Sequence, residues 1–250
     1  MVRLNTISLY LSLSLYSITG LILFLMGLAV LSMKKEEGSA LWFSSALILQ
    51  GTLLLLGPFM VVGAGGINTF LVSRVFLTFT PFFFSGFALK LLYGDFRGWR
   101  RVFIGVNLFL AIFVCGLVFY MHPPRSDINE TFHQDLEPLM VFLGTTYAAF
   151  FTLVPAVFLQ NAARRIKKIE KTRLYMTVYG FIITVSLYAV GFGLNAASRC
   201  DNPFTHPFHP VILVGMLLSS YISYYGFVFY GREEKIGTRP AKKEHIAEEK

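Results

Sequence analysis

Charge is what this sequence has least of. Only 14% of its 250 residues are Asp, Glu, Lys or Arg, where soluble domains carry about a quarter, and the shortfall excludes an ordinary water-exposed surface. The 14 acidic residues all fall outside the apolar runs, in the connections and the C-terminal tail. That counts against proton- or sodium-coupled transport, which needs ionisable groups within the membrane. Two cysteines, Cys115 and Cys200, are too few for a disulfide framework. Repeats of solenoid length and low-complexity tracts are missing. The last apolar run has no lysine and Lys90 sits at a helix end, so a retinal Schiff base has no anchor and no retinal is expected. The runs also lack a His and Asp set of the kind that seven-helix membrane hydrolases use. No enzyme activity and no cofactor are therefore expected. Asp95-Phe96-Arg97 after the third run, with no Asn-Pro pair in the seventh, gives poor support to a eukaryotic G-protein-coupled receptor.

What is present is apolar mass. Hydrophobic residues make up 55% of the chain, with 26 Phe, 12 Tyr and 2 Trp, and the mean hydropathy is +0.61. Seven runs approach the roughly 20 residues that a helix needs to cross a bilayer. They are Leu4–Met33, Leu41–Val62, Phe70–Tyr93, Val102–Tyr120, Leu139–Leu159, Leu174–Leu194 and Val211–Tyr230. The first is too long for a cleavable signal peptide, whose apolar core is about 7–15 residues, and it lacks a small-residue cleavage site. It is expected to be a retained helix. Pro81 interrupts the third run and predicts a kink there. The predicted fold is all-α, a polytopic seven-transmembrane-helix bundle over residues 1–231, followed by a charged tail, 232–250, too poor in apolar side chains to fold alone.

The cations set the orientation. Arg164, Arg165, Lys167, Lys168, Lys171 and Arg173 crowd one short connection between two apolar runs, and short loops rich in Lys and Arg stay on the cytoplasmic side. Counting spans outward from that loop places 18 of the 22 Lys and Arg inside and only Arg3, Arg74, Arg125 and Arg199 outside. The N-terminus is then outside, the C-terminus inside, and the location a cell membrane crossed many times. The net charge of +8 reflects this sidedness, so nucleic acid is not an expected partner. The six clustered cations are instead expected to meet anionic headgroups of the inner leaflet or a protein partner.

Few residues offer chemistry. Gln50, near the middle of the second run, is the deepest strong polar group, read as a helix–helix hydrogen bond or a ligand contact. Arg74 lies about a turn inside the outer end of the third run and is expected to snorkel. His206 and His209 are metal candidates because imidazole beside carboxylate suits divalent ions, although they straddle a proline and lack a regular ligand spacing. Asn129-Glu130-Thr131 is a glycosylation sequon on an expected outer loop. Gly215, Ser219 and Ser223 recur every four residues, a spacing that lets helices approach closely, and are read as packing within the bundle.

Ala40-Leu41-Trp42 opens the second run. The third carries Arg74, Thr78, Thr80, Pro81, an aromatic series from Phe82 to Phe87, and a closing Tyr93-Gly94. On these residues the stretch from Leu41 to Tyr230 resembles the seven-helix sensor region at the N-terminus of many prokaryotic histidine kinases. The resemblance implies sensing of a ligand or of membrane state and transfers no catalytic residue. A kinase would have to follow the seventh run, where about twenty residues remain, so a sensor module without its output domain is expected, acting through a cytoplasmic or membrane partner. A transporter or channel subunit is the alternative, recognisable by a continuous polar pathway. A structural subunit of a membrane complex is the third reading, recognisable by an exposed apolar flank with small-residue grooves.

Overall fold

The computed structural model describes residues 2–34, 37–62, 66–121, 138–164, 168–198 and 208–229. They form seven long helices and, among the described residues, no strand: α1 Val2–Met33, α2 Gly38–Val62, α3 Gly66–Tyr93, α4 Trp99–Met121, α5 Pro138–Ala163, α6 Lys168–Ser198 and α7 His209–Phe229. A helix satisfies its own backbone donors and acceptors, which is the condition for apolar sequence to enter lipid. Among the described residues, five segments are long and apolar enough to cross a membrane: Leu9–Met33, Gly38–Pro58, Trp99–Leu117, Phe142–Ala163 and His209–Phe229. Pro81 lies inside α3 without ending it.

Two helix boundaries depart from expectation. α6 begins at Lys168, so Lys168, Lys171 and Arg173 belong to its first turns and not to a loop. Residues 199–208 separate α6 from α7, a shorter connection than the expected 195–210, because α6 runs on to Ser198 and α7 takes in His209 and Pro210. Proline is well suited there, since the first-turn N–H has no intrahelical acceptor in any case. The expected tail 232–250, the sequon at Asn129, and His206, Arg165 and Lys167 lie outside the described residues.

The α3–α4 connection is built by two glycines with positive φ. Gly94, at φ 74°, donates its N–H to the Lys90 carbonyl at 2.9 Å, the left-handed cap that closes many helices. Gly98, at φ 57°, releases the chain into α4. Between them Asp95 holds Arg97 Nε at 2.8 Å and Arg100 Nη1 at 3.0 Å.

The helices pack as antiparallel pairs. In α1–α2, a β-carbon on Gly20 would lie 2.8 Å from the Gly51 carbonyl oxygen, and one on Gly51 would lie 2.6 Å from the Phe24 nitrogen. Glycine alone permits that separation. In α6–α7, Gly180 meets the Ser219 carbonyl and Gly226 meets the Arg173 carbonyl just as closely. Ser219 and Ser223 face α6, and Gly215 faces Leu187, so this small-residue stripe packs inside the bundle as expected. α2 continues onto α3, α3 onto α5, α5 onto α6, and α7 returns to α1. α4 lies outside this ring against α3 and α5, docked through Phe103, Leu110, Ala111 and Val114.

Five phenylalanines fill the centre: Phe43, Phe84, Phe87, Phe181 and Phe227, all essentially without exposure. Phe84 stacks on Phe181 with centroids 4.0 Å apart, Phe43 meets Phe227 at 4.7 Å, and Phe87 meets Phe227 at 5.2 Å. α2, α3, α6 and α7 are thereby joined by one aromatic cluster.

Candidate functional site

Three contacts show which helix ends lie together. Lys34 Nζ stands 4.7 Å from the centroid of the Phe227 ring. The Lys90 side chain covers Gly38, and Arg173 Nη1 donates to the Phe229 carbonyl at 2.8 Å. One end of the bundle therefore gathers the cations, and it is the end where α7 finishes. Several are already engaged there. Lys34 is almost buried and pairs with Glu37 at 3.1 Å, Lys90 faces the Phe96 ring at 5.5 Å, and Lys171 faces Tyr175 at 5.7 Å. Arg164 is exposed just past the end of α5.

The notable polar groups lie further in. Ser12, Tyr16, Thr19 and Leu23 recur at helical spacing and share one face of α1. Phe43, Leu47, Gln50, Leu54 and Gly57 do the same on α2. The two faces meet, since a β-carbon on Gly57 would lie 2.8 Å from the Tyr16 ring. α7 closes the third side. His209 Nδ1 is 3.3 Å from Tyr16 Oη, and the two rings stack with centroids 5.9 Å apart. Gln50 stands twelve residues beyond Gly38, roughly 18 Å from the cationic end at about 1.5 Å per residue. That is just past the middle of a hydrocarbon core about 30 Å thick. Thr19, Tyr16 and Ser12 continue the column away from the cationic end.

This column is incompletely bonded. Ser12 Oγ, Thr19 Oγ1 and both amide atoms of Gln50 are buried with no hydrogen-bond partner among the described residues. Among the described residues Gln50 makes no helix–helix hydrogen bond. Each such group costs about 1–3 kcal/mol. The α6–α7 seam behaves in the opposite way. Thr184 Oγ1 donates to the Gly180 carbonyl at 2.9 Å and shares a 2.7 Å bond with Ser219 Oγ. Ser223 Oγ donates to the Thr177 carbonyl, and Thr177 Oγ1 to that of Arg173 at 3.0 Å. A second polar contact, Tyr147 Oη donating to Asn107 Oδ1 at 2.8 Å, holds α4 to α5.

Of the residues singled out from sequence, Gln50 and His209 both face the α1–α2–α7 seam, and Arg173 caps α7. The Arg74 side chain lies outside the described residues. Among those residues no group of three or more His, Cys, Asp or Glu is placed to hold a metal, and His209 is engaged with Tyr16. Ser12, Tyr16 and Thr19 escaped notice because hydroxyls are frequent in α1. Their i, i+4, i+7 spacing was the available signal.

No family model matches the chain, and neither a curated protein nor a solved structure shows significant similarity to it.

Proposed function

We propose that the chain is a multi-pass membrane sensor with seven crossings, its N-terminus outside and its cationic end in the cytoplasm, signalling through a partner protein. One observation carries this reading. The under-bonded column ending at Gln50 shares the Phe43–Leu47–Gln50–Leu54 stripe with the aromatic cluster, and that cluster includes Phe227 of the last helix. A change around Gln50 is therefore passed through packed rings to α7, whose final turn is held by Arg173 at the cytoplasmic side. The aromatic cluster occupies the centre of the bundle, which favours a sensor over a channel. Anionic headgroups of the inner leaflet complete the setting, drawn to the cations of residues 164–173, of which Arg164 is exposed.

Removing Glu233–Lys250 tests the output. The truncated protein is expected to insert normally and to lose a protein that accompanies the full chain from native membranes. Retention of every partner and of the phenotype overturns tail-mediated signalling.

A structural role in a membrane complex is the second reading, favoured by α4. Only 11% of its candidate span is buried. It exposes Val102, Val106, Phe109, Ile112 and Phe113, and a β-carbon on Gly105 or Gly116 would meet nothing within 4 Å. A membrane partner that survives tail truncation supports this reading over the first.

A further inference from the structure

The bundle contains two seams of buried hydroxyl and amide groups, and they are finished differently. Between α6 and α7, Thr177, Thr184, Ser219 and Ser223 all have partners. Between the α1–α2 pair and α7, Ser12, Thr19 and Gln50 are as deeply buried, at 0%, 0% and 1% exposure, and have none among the described residues. A native interior rarely leaves three such groups along one line. None of the three bonds another described residue, so their donors and acceptors are left available to a ligand.

The packing indicates where such a ligand enters. α1 is joined to α2, and α6 to α7, by glycine contacts too close to slide. The seam between the pairs has no such glycine contact among the described residues. Towards the cationic end the seam is interlocked by Phe43, Phe87 and Phe227. Towards the other end the described cross-seam contacts include the Tyr16–His209 stack and a 3.3 Å bond. Opening there exposes Ser12, then Thr19, and stops at Gln50 above the rings.

We propose that this seam opens at the end remote from the cations and binds a small uncharged molecule that offers a hydrogen-bond donor and an acceptor side by side. Gln50 forms the floor of the site. Its free Nε2 and Oε1 supply the complementary acceptor-seeking and donor-seeking groups, with the Thr19 and Ser12 hydroxyls along the wall. The described seam residues of α1, α2 and α7 around Gln50 include no Asp, Glu, Lys or Arg, and the one imidazole, His209, is engaged with Tyr16, so an uncharged ligand suits this low-dielectric site better than an ion. A primary amide or urea-like group fits this donor set, and Leu23, Leu54 and Leu213 offer apolar surface to its remainder. The inference deepens the sensor reading and rests on its orientation for the side of entry.

The test uses the full chain in sealed vesicles, with Cys115 and Cys200 replaced by serine. Ser12→Cys and Thr19→Cys are conservative in size, and Ala46→Cys is a buried control on α2. A membrane-impermeant thiol reagent is applied from each side separately, with acetamide, acetate or guanidinium as the added probe. Thr19→Cys and Ser12→Cys are expected to react at least about tenfold faster than Ala46→Cys, from the N-terminal side, the factor corresponding to one buried hydrogen-bonding group. Acetamide is expected to slow the reaction at Thr19→Cys, while acetate and guanidinium leave it unchanged. Adding Gln50→Leu is expected to abolish acetamide protection while the reaction rate itself persists, which separates loss of the site from loss of the fold. Reaction no faster than Ala46→Cys overturns the opening, and reaction only from the cationic side overturns the direction of entry. Equal protection by the ions, or protection that survives Gln50→Leu, overturns the assigned ligand class and floor. These readouts are independent of the tail, so they stand or fall separately from the truncation experiment.

Discussion

Arg173, from the first turns of α6, donates through Nη1 to the carbonyl of Phe229, the last residue of α7, at 2.8 Å. The last carbonyls of a helix have no intrahelical donor, and the dipole leaves partial negative charge there. A cation in that position satisfies both. The bond also ties the end of α7 to the basic segment, although the two are distant in sequence. Replacing Arg173 by Gln is expected to destabilise the α6–α7 pair by about 1.5–3 kcal/mol, the range for a hydrogen bond to a charged group. Trypsin cleavage of the tail should accelerate in the same variant, and Arg173→Lys should restore part of the loss. Unchanged cleavage and melting would show that the cap does not hold α7.

The glycine contacts make a sharper contrast. Gly51→Ala places a β-carbon 2.6 Å from the Phe24 backbone nitrogen, where no side-chain rotation relieves the clash. A loss of about 1–3 kcal/mol is expected from the forced separation of α1 and α2. Gly105→Ala on α4 meets nothing, and should be neutral or stabilising by up to about 1 kcal/mol through helix propensity. Thermal unfolding in detergent measures both. Equal destabilisation would refute the packing assigned to the first pair.

Orientation is checked by labelling intact cells in a background without Cys115 and Cys200. Asn129→Cys is expected to react with an impermeant reagent and Lys168→Cys to be spared. The motive is the division of Lys and Arg, 18 to 4 across the expected membrane sides. The reverse pattern, or reaction at both, sinks the proposed topology.

Lipid contact is checked with a peptide spanning Asn161–Arg173. Neutralising Arg164, Arg165, Lys167 and Lys168 together should weaken its association with anionic vesicles by roughly 1 kcal/mol per charge, and added salt should act in the same direction. In the full protein Arg173→Gln should change lipid association less than Arg164→Gln, because Arg173 is occupied by Phe229 while Arg164 is exposed. Binding indifferent to salt and charge would reject the headgroup assignment.

The sequence by itself determined the local facts: long apolar runs, hence helices; 14% charge, hence no ordinary aqueous surface; and Gln50 as a deep polar residue. These are legible because a run's hydropathy and period act over a few neighbouring positions. Which faces meet was not legible. In an apolar helix every side offers leucine and phenylalanine, so periodicity carries little information about the partner. Only the tertiary structure brought Tyr16 to His209 and Phe84 to Phe181, and it turned Arg173 from a loop cation into a helix cap. It also decided that Thr184 would find Ser219 while Thr19 would find no partner among the described residues. Hydrogen-bond satisfaction depends on the position of a second chain segment to within an ångström, and that position is set by close glycine contacts between helices.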